Sequence, residues 1–192
     1  MSLVWLALLP WLAAPLVLGL AGRRSAAVVA GGVALAGVAL LLTLAPAVFA
    51  GQVLVWRVEW VAQLGVGWGF RLDGLAWLLA FMITGIGALV VLYGAWYLDP
   101  KDPAPRFFAF LLLFMGAMLG VVLADNLVLL VMFWELTSLS SFLLIGYWSH
   151  RQDAREGARM ALTITGAGGL CLFAGALLIG QIVGSYQLDV VL

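Results

Sequence analysis

Long apolar segments constrain this chain more than any other feature. Six stretches are each long enough to cross a bilayer, whose hydrocarbon core of about 30 Å needs about 20 residues of helix. They are residues 2–22, 26–50, 72–98, 106–124, 126–148 and 159–184. Charged or proline-rich pieces lie between them, as is typical of connections between spans. The sequence predicts an all-α, polytopic membrane protein of about six transmembrane helices, forming one domain over residues 1–192.

The composition excludes several other classes of protein. Of the 192 residues, 66% are hydrophobic and 9% are charged, whereas soluble domains carry about 25% charged residues. Nine basic and nine acidic residues cancel, so no net charge attracts a polyanion. We therefore expect the lipid bilayer, and no nucleic acid, around this chain. No dinucleotide or P-loop fingerprint is present, and no cofactor is expected.

Positive charges are distributed unequally between the connections. The first, third and fifth connections carry seven of the nine lysines and arginines, and the second and fourth carry only Arg57 and Arg71. Lysine and arginine favour the cytoplasmic side. The odd connections are therefore predicted in the cytoplasm and the N-terminus outside. The second connection, residues 51–71, alternates valines with aromatic residues, which predicts a short hairpin on the membrane surface.

Glycines recur at helical spacing in two of the segments. Gly116 and Gly120 form one GxxxG pair, and Gly180 and Gly184 form another. Further glycines crowd residues 166–169 of the sixth segment. Small residues of this kind let membrane helices approach closely, so we expect close helix packing at these positions.

One carboxylate, Glu135, lies inside the fifth segment. It follows Asp125 by ten residues, which at 1.5 Å per residue places it roughly 15 Å deep. A charge at the bilayer centre costs about 2.5–3.5 kcal/mol and almost always faces protein or water. Burial favours the neutral acid and a nearby cation favours the ionised one, so Glu135 is a candidate for proton transfer. The alternative is a static acid, hydrogen-bonded between helices.

Other polar residues are weaker candidates for a proton path or for ion contacts. Hydroxyl side chains follow Glu135 on the same helix, at Thr137, Ser138 and Ser141. Asp73, before the third segment, either contacts an ion or caps that helix and pairs with Arg71. His150, after the fifth segment, is either a proton entrance or a solvated loop residue. No sequence pattern identifies metal ligands.

Four motifs occur in order within a resemblance that extends over about residues 70–185: FRLDGL, RFFAF, LADNLVLL and FWELTSLSSFLLIGYW. They resemble the antiporter-like membrane subunits shared by Mrp-type sodium/proton antiporters, energy-converting hydrogenases and respiratory complex I. The form WELTSLSSFLLIGYW, followed by the uncharged TITGAGGL, is most similar to the A-type subunit of Mrp antiporters. The resemblance implies the first six helices of a module of about fourteen. It also implies that Glu135 pairs with a lysine on a seventh helix, beyond Leu192.

The resemblance implies a membrane subunit of a sodium/proton antiporter complex in a bacterial plasma membrane, and not an enzyme. Its partners would be the other subunits of the complex, sodium ions and protons. Two alternatives stay open. The chain could be a proton-pumping subunit of a hydrogenase or of complex I, which association with iron–sulfur or flavin subunits would favour. It could instead be a structural scaffold, which transport unaffected by Glu135→Gln would favour.

Overall fold

The computed structural model describes residues 2–61, 66–99 and 101–191, and most of them are helical. The helices are α1 Ser2–Leu18, α2 Arg23–Phe49, α3 Gly74–Tyr97, α4 Ala104–Leu123, α5 Leu127–Ile145, α6 Gln152–Val183 and α7 Leu188–Val191. The two strands are β1 Leu54–Val61 and β2 Val66–Leu72. In the described part of the chain, α2 to α6 are long and apolar enough to cross a membrane. With 17 residues, α1 lies at the short end of the spanning range. The predicted fold class is confirmed.

Two helix ends illustrate how the sequence sets the boundaries. At the start of α5, Asn126 Oδ1 accepts a hydrogen bond from the Val128 N–H at 2.9 Å. The first N–H groups of a helix have no carbonyl partner within the helix, so this side chain supplies one. This start is the predicted one. In contrast, α6 begins at Gln152, before the predicted residue 159. Its first turns are polar but helical, and Gln152 Nε2 donates to Glu156 Oε1 at 2.7 Å.

The connections that carry most of the positive charge gather at one end of the helices. Arg23 Nη1, at the start of α2 beside the α1–α2 connection, donates to the carbonyl of Leu98 in the α3–α4 connection at 2.6 Å. Arg106, at the start of α4, donates to the Tyr147 carbonyl after α5. The three odd connections therefore share one end, as alternation of the spans requires. That this end faces the cytoplasm stays a prediction.

At the opposite end the chain builds a small, largely backbone-bonded layer. The strands β1 and β2 pair antiparallel, which confirms the predicted hairpin. Phe70 of the hairpin forms an antiparallel bridge with Ala124, and Asn126 forms another with Gln187. We call this layer the cap. It consists of the described part of the hairpin, residues 124–126 and residues 186–188.

Close packing at the two α4 glycines is confirmed. A Cβ at Gly116 would overlap the Trp11 indole of α1, and one at Gly120 would overlap the Phe133 ring of α5. Both glycines are buried, so α4 is the central helix against which α1 and α5 pack. Contacts this close need a helix surface without side chains.

The same prediction is wrong for the glycine pair at the end of α6. Gly184 ends the helix with a φ of +77°, a left-handed conformation that costs glycine little. Gly180 faces the ring of Tyr186, which belongs to the segment after the helix. The spacing of four residues arises here from how the helix stops and not from packing against another helix.

Candidate functional site

Glu135 lies in the middle of α5. The helix extends from Leu127 to Ile145, so its ends are about 12 and 15 Å from Glu135 along the axis. Apolar residues precede and follow it on the same helix. The carboxylate therefore lies near the midplane of any bilayer that α5 spans, at the predicted depth.

The side chain of Glu135 points toward α6 and ends against a glycine. Its Oε1 atom is buried and has no hydrogen-bond partner among the described residues. That atom occupies the space into which a Cβ on Gly169 would project. Gly169 is itself buried. The absence of a side chain at Gly169 is therefore what lets the carboxylate pack on the α6 backbone.

A cavity of about 560 Å³ lies beside this contact, between α5 and α6. Glu135 is the one ionisable residue in its described lining, which is otherwise apolar and includes Met132, Leu139 and Phe173. Burying a polar atom without a hydrogen bond is costly, and burying an unpaired charge costs more. The buried Oε1 atom therefore lacks a compensating polar partner among the described residues.

The neighbouring hydroxyls turn away from the carboxylate. Thr137 Oγ1 donates to the Trp134 carbonyl at 2.6 Å, and Ser138 Oγ approaches the same carbonyl at 3.4 Å. Such bonds to the preceding helical turn are common for serine and threonine in helices. Ser141 is partly buried on the same helix. In the described chain, no hydroxyl donates to Glu135 Oε1, so the expected polar cluster is not formed around it.

Two predicted site residues lie elsewhere. Asp73 Oδ1 accepts a hydrogen bond from the Ala76 N–H at 2.9 Å, and Asp73 Oδ2 is 3.5 Å from Arg71 Nε. The capping alternative therefore describes Asp73, at the cap end of α3. His150 is exposed in the α5–α6 connection, at the other end of the molecule. Neither is brought to Glu135.

The cap contains an ion-pair network that no sequence pattern indicated. Asp125 is 1% exposed and accepts a hydrogen bond from Arg57 Nε. Arg57 Nη2 also lies 2.8 Å from Asp189 Oδ2. These contacts raise the pKa of Arg57 above its ordinary value and lower that of Asp189. A cavity of about 230 Å³ adjoins the network.

The acids of the described residues do not form a metal site. No three His, Cys, Asp or Glu side chains in that part of the chain are grouped so that they could hold a metal ion. Asp125, an acid that could in principle contact a cation, instead accepts a hydrogen bond from Arg57. Among the described residues, no sodium ligand is therefore assigned.

Comparison with known families places this fold among antiporter-like membrane proteins. Residues 56–108 match the family described as NADH-Ubiquinone oxidoreductase (complex I), chain 5 N-terminus. Residues 124–192 match the family described as NADH:quinone oxidoreductase/Mrp antiporter, TM. Between them these matches take in more than half of the chain. The chain belongs to this antiporter-like family, and it is a multi-pass membrane protein.

The relatives are components of bacterial antiporters. The chain is 58% identical over 163 residues to the A/B subunit of a probable K(+)/H(+) antiporter of Rhizobium meliloti (strain 1021), and this match covers 85% of the chain and 16% of that protein. It is 44% identical over 149 residues to the A1 subunit of the Na(+)/H(+) antiporter of Staphylococcus aureus (strain bovine RF122 / ET3-1). This second match covers 78% of the chain and 19% of that protein. The chain thus spans less than a fifth of the length of these relatives.

Two solved structures share the fold. One is the Mrp complex from Dietzia sp. DQ12-45-1b, with a TM-score of 0.77 and 33% identity, over 100% of this chain and 20% of that chain. The other is the membrane-bound sulfane sulfur reductase, an archaeal respiratory membrane complex, with a TM-score of 0.81 and 19% identity. This match covers 98% of this chain and 29% of that chain. The second likeness shows the fold alone.

Proposed function

We propose that this chain is the N-terminal part of the A-type subunit of a multisubunit antiporter that exchanges a monovalent cation for protons. In this proposal Glu135 takes up and releases a proton as part of the coupling. The relatives that support the proposal include proteins named for sodium and for potassium, so the transported cation is one of these two. The other subunits of the complex are the expected partners.

The observation that carries the proposal is the setting of Glu135. Its buried Oε1 has no hydrogen-bond partner in the described chain, and it faces an apolar cavity. A static structural acid would be expected to have its hydrogen bonds satisfied. A carboxylate that alternates between two protonation states needs the opposite, namely a partner that is present in only one of them. A basic group approaching through the cavity would stabilise the ionised form.

The test is cation-driven proton flux in everted membrane vesicles that carry the whole antiporter. Glu135→Gln and Glu135→Ala are compared with wild type in sodium and, separately, in potassium. Loss of flux in both variants, with the complex still assembled, is the expected result. Glu156→Gln is the matched control, since Glu156 is an exposed acid at the start of α6 and the same chemical change there should leave flux intact.

The opposite results have distinct meanings. Full flux in Glu135→Gln would refute the proton-transfer role and leave the chain as a scaffold for other subunits. Proton flux that requires electron transfer and does not change with sodium or potassium would refute antiport and favour a redox-driven pump. Assembly is measured in each variant by copurification, so that failure to assemble is not mistaken for loss of transport.

A further inference from the structure

At the end of the molecule opposite the cap, three arginines surround a single pocket. Arg106 lies in the first turn of α4, and Arg155 and Arg159 lie one turn apart on α6. They line a cavity of about 330 Å³ together with Phe110, Phe142 and Leu143. We propose that this pocket binds the phosphate of an anionic phospholipid, with the start of an acyl chain on its apolar side. We call it the arginine pocket.

The arginines of the pocket have no acidic partner in direct contact among the described residues. No acidic residue lines it, and none of its three arginines forms an ion pair with a described residue. Arg106 Nε is buried without a hydrogen-bond partner among those residues. An unpaired donor on a cation favours an anionic acceptor, and guanidinium groups suit phosphate oxygens particularly well.

The hydrogen bonds that these arginines do make are to backbone carbonyls. Arg106 Nη2 donates to the Tyr147 carbonyl, and Arg155 Nη1 donates to the Ser149 carbonyl at 3.1 Å. These bonds hold the side chains in place without neutralising them. The guanidinium group of Arg106 also lies 6.0 Å from the centre of the Phe110 ring. The pocket is therefore built before any ligand arrives.

The apolar side of the arginine pocket favours a lipid over a free phosphate ion. Phe142 and Leu143 belong to the last turn of α5, and Phe110 lies in the second turn of α4. All three are on helices long and apolar enough to cross a membrane, so this surface would continue from the charged rim toward the hydrocarbon. The odd connections are also predicted on the cytoplasmic side, where anionic lipids attract basic groups and where basic pockets between helices bind lipid head groups.

The test uses the complete antiporter assembly, purified in detergent and titrated with phosphatidylglycerol. Bound lipid is counted by native mass spectrometry. The variant is Arg155→Gln/Arg159→Gln, because both side chains are exposed and bond only to nearby backbone. At roughly a fivefold effect per arginine near a membrane surface, we expect the double variant to bind phosphatidylglycerol about twenty-five-fold more weakly.

Two controls make the result specific. Arg24→Gln/Arg151→Gln removes the same charge from exposed positions at the same end but outside the pocket, and it should bind like wild type. Phosphatidylcholine, which has no net charge, should bind wild type no better than the variant. A photoactivatable phosphatidylglycerol with its reactive group near the glycerol should label Phe142 and Leu143 in wild type.

Three outcomes would overturn the proposal. The first is equal binding of phosphatidylglycerol by wild type and by Arg155→Gln/Arg159→Gln. The second is displacement of the lipid by inorganic phosphate at the same concentration, which would make the pocket a site for a free anion. The third is labelling of residues remote from the pocket that the double substitution does not change. Assembly and the thermal stability of the complex are checked for every variant.

Discussion

Gly169 is where the Glu135 site can be tested with a single methyl group. In Gly169→Ala the new Cβ would overlap Glu135 Oε1, so the carboxylate must leave or α6 must move. Overpacking of this kind costs about 1–3 kcal/mol. Alanine also favours a helix over glycine by about 0.8–1 kcal/mol, which offsets part of that cost. We expect Gly169→Ala to destabilise the assembly by up to about 2 kcal/mol.

Gly168 supplies the matched control one residue earlier on the same helix. It is exposed, and a Cβ there would meet no described atom within 4 Å. Gly168→Ala should therefore change only the helix propensity of this position, which stabilises the protein by up to about 1 kcal/mol. The two substitutions make the same chemical change, so the difference between them measures the contact with Glu135.

The measurements are the melting temperature of the purified assembly and cation-driven proton flux in vesicles. Gly169→Ala should lower both relative to Gly168→Ala. Shortening the acid in Gly169→Ala/Glu135→Asp makes room for the methyl group and should recover much of the lost stability. If the two alanine variants have the same stability and the same flux, Glu135 does not lie against Gly169 and the site geometry is wrong.

Three further predictions concern the cap and the α4 packing. Arg57→Ala leaves Asp125 buried and unpaired, so it should destabilise the protein by about 3 kcal/mol. Arg71→Ala, at a partly exposed pair, should destabilise it by only about 0–1 kcal/mol. Thermal unfolding of the two variants measures this difference. Because Arg57 lowers the pKa of Asp189 below 3.8, that contact stabilises above this pH and is lost as the pH falls through the lowered pKa. The melting temperatures of wild type and Asp189→Asn should accordingly differ at neutral pH and converge in acid. Gly120→Ala should cost about 1–3 kcal/mol through overlap with the facing phenyl ring, and unchanged stability would contradict that contact.

The helices and the position of Glu135 in the middle of α5 could be predicted from sequence because both depend on local patterns. Apolar runs reveal the helices, alternating valines reveal the hairpin, and Asn126 marks the start of α5. The helix α6 begins at Gln152, seven residues before the predicted membrane span of residues 159–184, because a helix need not end where its apolar part begins. Residues 152–158 are polar and helical, so polarity alone does not mark the start of this helix.

The contacts that define the sites could not be predicted in the same way. Arg57 and Asp125 are 68 residues apart, and no local pattern links them. Gly169 is one of several glycines in α6, and only the structure distinguishes it as the one facing Glu135. The hydroxyls beside Glu135 looked like a polar cluster in the sequence, but their bonds go to their own helix.

The cap also bears on how the chain inserts into the membrane. Its parts come from three distant regions, and the Leu127 N–H reaches the Tyr186 carbonyl at 2.9 Å while the Leu188 N–H reaches the Asp125 carbonyl at 3.0 Å. These bonds can form only after α6 has crossed and returned the chain to the same side as the hairpin. A helix inserted in the wrong direction would leave the parts on opposite faces of the bilayer. Closure of the cap therefore requires α5 and α6 to run in opposite directions.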